Sequence, residues 1–201
     1  MARLPLVDAE AATGEVGAAL AATPVKLNIF RMLAHAETCM VPQMRLGAAI
    51  LSRQALADRP RELLILLVAK LEGGAYEWRQ HVPIALGVGV SQEQIDAVQR
   101  GDLAASAFSE GEQALLAFGR QVVENVRVED AVFAEARRHF CEREIVEAIL
   151  AIGFYMTMAR LTEATETDLG PAAGMAVFDS ARTREVTDRW ASSSTLTPAA
   201  S

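Results

Sequence analysis

Three side chains in this sequence have the types and spacing to move protons together: Glu62, Glu77 and His81. Glu77 and His81 are four residues apart, so in a helix they share one face. Glu62 stands at the head of the most apolar run in the chain, residues 63–69. A carboxylate against such a run is desolvated, which raises its pKa, whereas a nearby imidazolium lowers it. Two carboxylates in opposed environments beside a histidine are the material of an acid–base site. The same spacing also suits a salt-bridged pair on an exposed helix face, with Glu62 only complementing a helix dipole.

Other chemistries find less support. One histidine with two glutamates, and no second histidine at ligand spacing, is a weak metal set. No serine or cysteine nucleophile motif is present, and Gly87-Val88-Gly89 is a fragment of a dinucleotide fingerprint that follows a helix instead of a strand. No metal and no organic cofactor are expected. His35 reads as a surface or capping residue, and His139 as part of a solvated basic turn with Arg137 and Arg138.

The elements that must position these groups are helices. Asp58 before Arg59-Pro60 is a helix start signal, and Gly73-Gly74 a stop. A second helix begins near Ala75 and passes through His81, with Pro83 bending it locally. Such a short connection makes antiparallel neighbours. Glu62 then lies roughly 16 Å from the turn and His81 roughly 10 Å, a mismatch two long side chains can span. Elsewhere, a short helix is expected over 15–22, one over 29–36 capped by Asn28, and one over 38–54. Ser91-Gln-Glu-Gln94 and Ser109-Glu-Gly-Glu112 are capping boxes that open two more. Further helices are expected from Glu129-Asp130 to about Phe140 and over 142–166, where Gly170-Pro171 ends the patterned part. No strand alternation of useful length occurs, so the fold class is all-α, a helical bundle with short connections. The organisation reads as an N-terminal arm (1–27), a helical core (28–170) and a C-terminal extension (171–201). The polar end 195–201 is expected to be disordered, and Trp190 to dock on a neighbouring surface.

The bulk composition agrees with this. Of 201 residues, 51% are hydrophobic and only 5% aromatic, with alanine and leucine prominent, which favours helices and hints at a buried subunit interface. The net charge of −7 without any basic block argues against nucleic-acid binding. No unbroken apolar run approaches the ~18 residues of a bilayer span, and no signal peptide is visible, so a cytoplasmic location without membrane association is expected. Cys39 and Cys141 lie far apart and read as reduced structural thiols.

The chain resembles the carboxymuconolactone decarboxylase family, which includes the alkylhydroperoxidase-D-like proteins. The resemblance is carried by Asn28-Ile-Phe-Arg-Met-Leu-Ala-His35, Arg61-Glu-Leu-Leu-Ile-Leu, Tyr76-Glu-Trp-Arg-Gln-His81-Val-Pro-Ile-Ala and Ile152-Gly-Phe-Tyr-Met-Thr-Met-Ala-Arg-Leu161. It implies an all-α subunit that associates through helices into homo-oligomers (dimers, trimers or hexamers). In the peroxidase branch a Cys-x-x-Cys pair precedes the histidine. Aligned on His81, those positions hold Gly74 and Glu77, so the dithiol that peroxide reduction needs is missing. A thiol peroxidase is disfavoured. The resemblance implies instead a cofactor-free lyase or isomerase acting on a small carbonyl or lactone acid by decarboxylation, isomerisation or cyclisation. His81 would be the general acid or base, Glu62 its orienting or relay partner and Glu77 a second acid–base group. Tyr76, Trp78 and Arg79 would flank the pocket, and Arg79 or Arg160 would hold a substrate carboxylate. Cys141 and Glu163 depart from the family pattern. The alternative is a non-catalytic small-ligand-binding or assembly protein on the same scaffold.

Overall fold

A computed structural model describes residues 2–183 as helices joined by short turns, with no strand among the described residues. The helices are α1 (Gly14–Ala22), α2 (Asn28–Leu33), α3 (Glu37–Arg53), α4 (Asp58–Glu72), α5 (Ala75–Gly87), α6 (Gln92–Arg100), α7 (Glu110–Asn125), α8 (Asp130–His139), α9 (Glu142–Ala164) and α10 (Gly174–Arg182). The expectations for Trp190 and for residues 195–201 lie outside the described residues.

The fold is built round α4. Every residue from Arg61 to Ala69 is buried, on all sides of the helix. A helix apolar all round needs partners all round, and α4 has them in α5, α7 and α9, with α6 nearby. Leu63, Leu64, Leu66 and Leu67 pack there with Leu116, Phe118 and Ile152 in the main core. Gly73 takes φ 68° at the C-cap of α4, a left-handed conformation that costs glycine little. The chain reverses there. Arg59 Nε at the other end of α4 donates to the carbonyl of Gly89, just past α5, so the two helices form an antiparallel hairpin.

Both predicted capping boxes are present, at Ser91/Gln94 and Ser109/Glu112. Two cap assignments are corrected. Asn28 does not cap α2: Leu27 is the N-cap, the helix ends at Leu33, and the Asn28 amide donates to the carbonyl of Asp168. Asp58 lies inside the first turn of α4 after Ala57, where its carboxylate pairs with Arg61 and Arg182. In both cases a partner far along the chain holds the side chain, Asp168 for Asn28 and Arg182 for Asp58.

Helix α9 is long and apolar enough, by length and composition alone, to cross a membrane. In the fold it runs along α4 and buries Ile145, Ala148, Ala151, Ile152, Tyr155, Met158 and Ala159. From it, Glu147 accepts the backbone N–H groups of Ala55 and Leu56 and so caps the turn into α4. The chain also continues past Gly170-Pro171 into α10, which packs on α3 and α5.

Candidate acid–base site

The α4–α5 hairpin brings Glu62 to His81. Glu62 Oε2 lies 2.8 Å from His81 Nδ1, and the carboxylate is completely buried. Its other oxygen lies 3.6 Å from Arg61 Nε, beyond hydrogen-bond length, and the Arg61 guanidinium is itself only 1% exposed. Arg61 Nη1 also reaches Asp58 Oδ1 at 3.0 Å. A buried carboxylate without a nearby cation would be strongly destabilising, so Arg61 is part of what lets Glu62 stand here. The imidazole tautomer that suits this arrangement donates from Nδ1 to Glu62 and keeps an acceptor lone pair on Nε2. Tyr155 of α9 packs edge-on against the imidazole, 4.7 Å between ring centroids at 85°. Burial, with the charges of Glu62 and Glu77 adding to it, pushes the Tyr155 phenol well above its ordinary range, so it stays a neutral hydroxyl.

Glu77 is the second carboxylate. It is 3% exposed, and burial raises its pKa to about 7 against the opposing pull of its helix-start N–H, the Thr162 hydroxyl and His81. Both protonation states of Glu77 are therefore populated near neutral pH. Thr162 Oγ1 lies 3.3 and 3.2 Å from the two Glu77 oxygens, 3.2 Å from the carbonyl of Met158 and 3.0 Å from that of Ala159. The hydroxyl has one proton to give. When it donates to its own helix, its lone pairs face Glu77 and accept from a protonated carboxyl. A Cβ placed on Gly74 would fall 2.8 Å from Glu77 Oε2 and 2.9 Å from the Ala159 Cβ, so the Glu77 carboxylate occupies the space beside residue 74. Glu163 caps the start of this helix by accepting from the Ala75 N–H at 3.0 Å.

His81, Glu77, Tyr76 and Tyr155 line a cavity of about 130 Å³ between α3, α5, α9 and α10. Three of the expected pocket residues are not at its wall. Trp78 is half-buried against the core, Arg79 is exposed, and Arg160 is exposed and held in a two-point ion pair with Glu72 at 2.7 and 2.9 Å. Cys39 and Cys141 are exposed and away from the cavity as well. Tyr76 does line it, with its phenol oxygen accepting from the Ile29 N–H at 3.3 Å and its pKa pushed up to about 12 by burial. The sequence reading passed over Arg61, Tyr155 and Thr162. Arg61 adjoins Glu62, and the other two lie seven residues apart on one face of α9, which was a signal available but not distinctive. No group of three or more His, Cys, Asp or Glu side chains is placed to hold a metal among the described residues.

Residues 43–120 match the model of the carboxymuconolactone decarboxylase family, a segment that contains Glu62, Glu77 and His81. Over this segment the chain is similar to that family. Its fold is similar to that of an alkylhydroperoxidase AhpD core, an uncharacterized peroxidase-related protein from Ralstonia eutropha JMP134, with TM-score 0.73 at 18% identity over 90% of this chain and 97% of that one. A peroxidase-related protein from Silicibacter sp. TM1040 gives 0.68 at 14% identity over 85% and 95%. The debrominase Bmp8, as a cysteine-to-alanine variant in complex with 2,3,4-tribromopyrrole, gives 0.69 at 18% identity over 89% and 96%. At these identities the likeness establishes the fold. No curated protein matches the chain. In this chain, the positions that the resemblance assigns to a thiol pair hold Gly74 and Glu77, and neither cysteine lies at the cavity.

Proposed function

We propose that this protein is an enzyme of cofactor-free proton transfer, acting on a small carbonyl compound. The observation that carries the reading is the buried Glu62–His81 pair opening on an apolar cavity that also contains Glu77. His81 Nε2 takes a proton from the carbon next to the substrate carbonyl. Glu62, itself balanced by Arg61, steadies the imidazolium that forms. Glu77 in its protonated state gives a proton to the carbonyl oxygen as negative charge develops there, the role of a neutral acid in a dry site. Decarboxylation, isomerisation and cyclisation all draw on these same groups. The match to the carboxymuconolactone decarboxylase family supports catalysis on this scaffold, and the debrominase neighbour is an enzyme of similar fold crystallised with a small ring compound, though a fold alone fixes no reaction.

Exchange of carbon-bound hydrogen tests this without knowledge of the natural substrate. Small ketones such as cyclohexanone are incubated with the enzyme in D₂O and followed by NMR. Loss of the α-proton signal faster than in buffer is expected for the wild type. His81→Ala and Glu62→Gln should slow that exchange at least about 100-fold, the usual scale of a general base. Exchange at the wild-type rate in both variants would overturn the assignment.

A further inference from the structure

We infer that the cavity selects a neutral, mostly apolar ring-sized carbonyl compound and rejects carboxylates, so that the reaction it serves is an isomerisation or cyclisation and not a decarboxylation. This rests on the proton-transfer reading of the same site and narrows it. The wall is largely aliphatic and aromatic, with Leu27, Phe30, Met44, Leu51, Phe154 and Met158 among its residues. Some polar side chains on it are already spent on the fold. The Thr23 hydroxyl donates to the carbonyl of Leu20, and the Gln80 amide is closed on Pro171 and Ala173. Apart from Ser180 on α10, that leaves Tyr76, Glu77, His81 and Tyr155 as the polar groups that meet a ligand, with Tyr155 packed on the His81 ring.

No lysine or arginine lines the cavity among the described residues. Arg61 is committed to Asp58 and Glu62, and Arg160 to Glu72. A bound carboxylate would lose its water, meet Glu77 at the wall and Glu62 behind His81, and find no cation in return. Burying an anion on such terms is heavily unfavourable. A neutral carbonyl pays no such penalty and accepts from the Glu77 carboxyl. Size points the same way: the cavity of about 130 Å³ is close to the ~150 Å³ apolar cavity that takes up benzene in another protein.

For such a ligand with a β,γ carbon–carbon double bond the chemistry closes without a second reactant. His81 Nε2 takes the proton of the α C–H bond, and that electron pair forms the enol C=C. The carbonyl oxygen takes the Glu77 proton. The enol hydroxyl then returns its proton to Glu77 while His81 delivers its own to a different carbon of the conjugated system, which leaves the enzyme unchanged and the double bond moved.

The test is direct binding by calorimetry of two probes of matched shape, cyclohexanone and cyclohexanecarboxylate, to the whole chain near pH 6.5, where the second probe is ionised and Glu77 is largely protonated. Saturable binding of the ketone, with the carboxylate on the order of 100-fold weaker, is expected. Near pH 8.5, where Glu77 is largely ionised, carboxylate binding should weaken further in the wild type and not in Glu77→Gln. Carboxylate binding as tight as or tighter than the ketone would overturn the inference, and so would binding of neither. Because binding is read without turnover, a protein that binds the ketone but fails the exchange assay would lose the catalytic reading and keep the selectivity. One that exchanges ketone protons yet prefers the carboxylate would do the reverse.

Discussion

The carboxylate of Glu77 and the missing side chain at Gly74 account for each other. A Cβ at residue 74 would crowd both Glu77 Oε2 and the Ala159 Cβ, and while the carboxylate can swing, the Ala159 methyl on a packed helix cannot. A single Gly74→Cys substitution is therefore expected to destabilise the protein by roughly 1–3 kcal/mol, the range of overpacking in a dense core. Urea unfolding of Gly74→Cys alone and paired with Glu77→Cys would read it, and the pair should recover part of the loss, because one of the two crowding atoms is gone. Thr162 gives a second prediction at this scale. Its hydroxyl lowers the Glu77 pKa by hydrogen bonding to the charged form. Thr162→Val should therefore raise that pKa above its present value of about 7, a shift visible in a carbon-13 titration of the Glu77 carboxyl. A downward shift would mean that the threonine serves only its own helix. Glu62, Glu77 and His81 could be singled out from the sequence because they stand close together on two consecutive helices. Thr162 and Tyr155 could not, because what ties them to the site is the lateral packing of α9 on α5, and nothing in a linear chain records which neighbours a helix will choose.

Among the elements, α10 bears most directly on access to the site. It contributes Gly174, Val177, Ser180 and Ala181 to the cavity wall. At its start the Gln80 amide accepts from the Ala173 N–H at 2.9 Å and donates to the Pro171 carbonyl at 2.9 Å. Gly174 packs so closely on the Gln80 carbonyl that a Cβ would overlap it. In its middle Phe178 meets the Arg61 and Arg182 guanidinium groups, 5.9 and 5.2 Å from its ring centre, and at its end Arg182 pairs with Asp58, which also bonds Arg61. The helix is thus pinned to α5 at one end and to the head of α4 at the other, next to the charge pair that supports His81. Gly174→Ala must push α10 off α5, since the obstacle is backbone and cannot turn aside. It is expected to cost roughly 1–3 kcal/mol in stability and to speed amide hydrogen exchange in α10 while leaving α4 protected. Equal exchange in α10 before and after substitution would show that the contact is slack. The helix itself was hard to read from sequence. Nine residues after a Gly-Pro break hold few large apolar side chains, and the element is stabilised by Gln80, Asp58 and Arg61, which lie about a hundred residues earlier in the chain.

At the scale of the whole molecule, the helices were legible because their signals are local: capping boxes at Ser91 and Ser109, the Gly73-Gly74 break, and apolar residues recurring at helical spacing. The cavity was not, because it is the space left between α3, α5, α9 and α10 once they have packed. That packing has a consequence for global stability that can be given a sign. Burial raises the Glu77 pKa from 4.5 to about 7, so the folded chain holds this proton more tightly than the unfolded chain does. Stability from this group is therefore fully present below pH about 4.5 and is lost as the pH climbs through about 7. The shift corresponds to about 3 kcal/mol at most, at 1.36 kcal/mol for each pKa unit. Other groups titrate over the same range, so the wild type is best compared with Glu77→Gln, which cannot ionise and resembles the protonated acid in shape. Denaturant unfolding at a series of pH values should show the wild type losing stability relative to the variant across that window, with the two curves parallel on either side of it. If the difference were flat from pH 4 to 8, Glu77 would titrate in the folded protein as it does in the unfolded chain, and would be ionised at neutral pH. Its role as the acid that protonates a carbonyl would then fail, even with His81 and Glu62 still in place as the base.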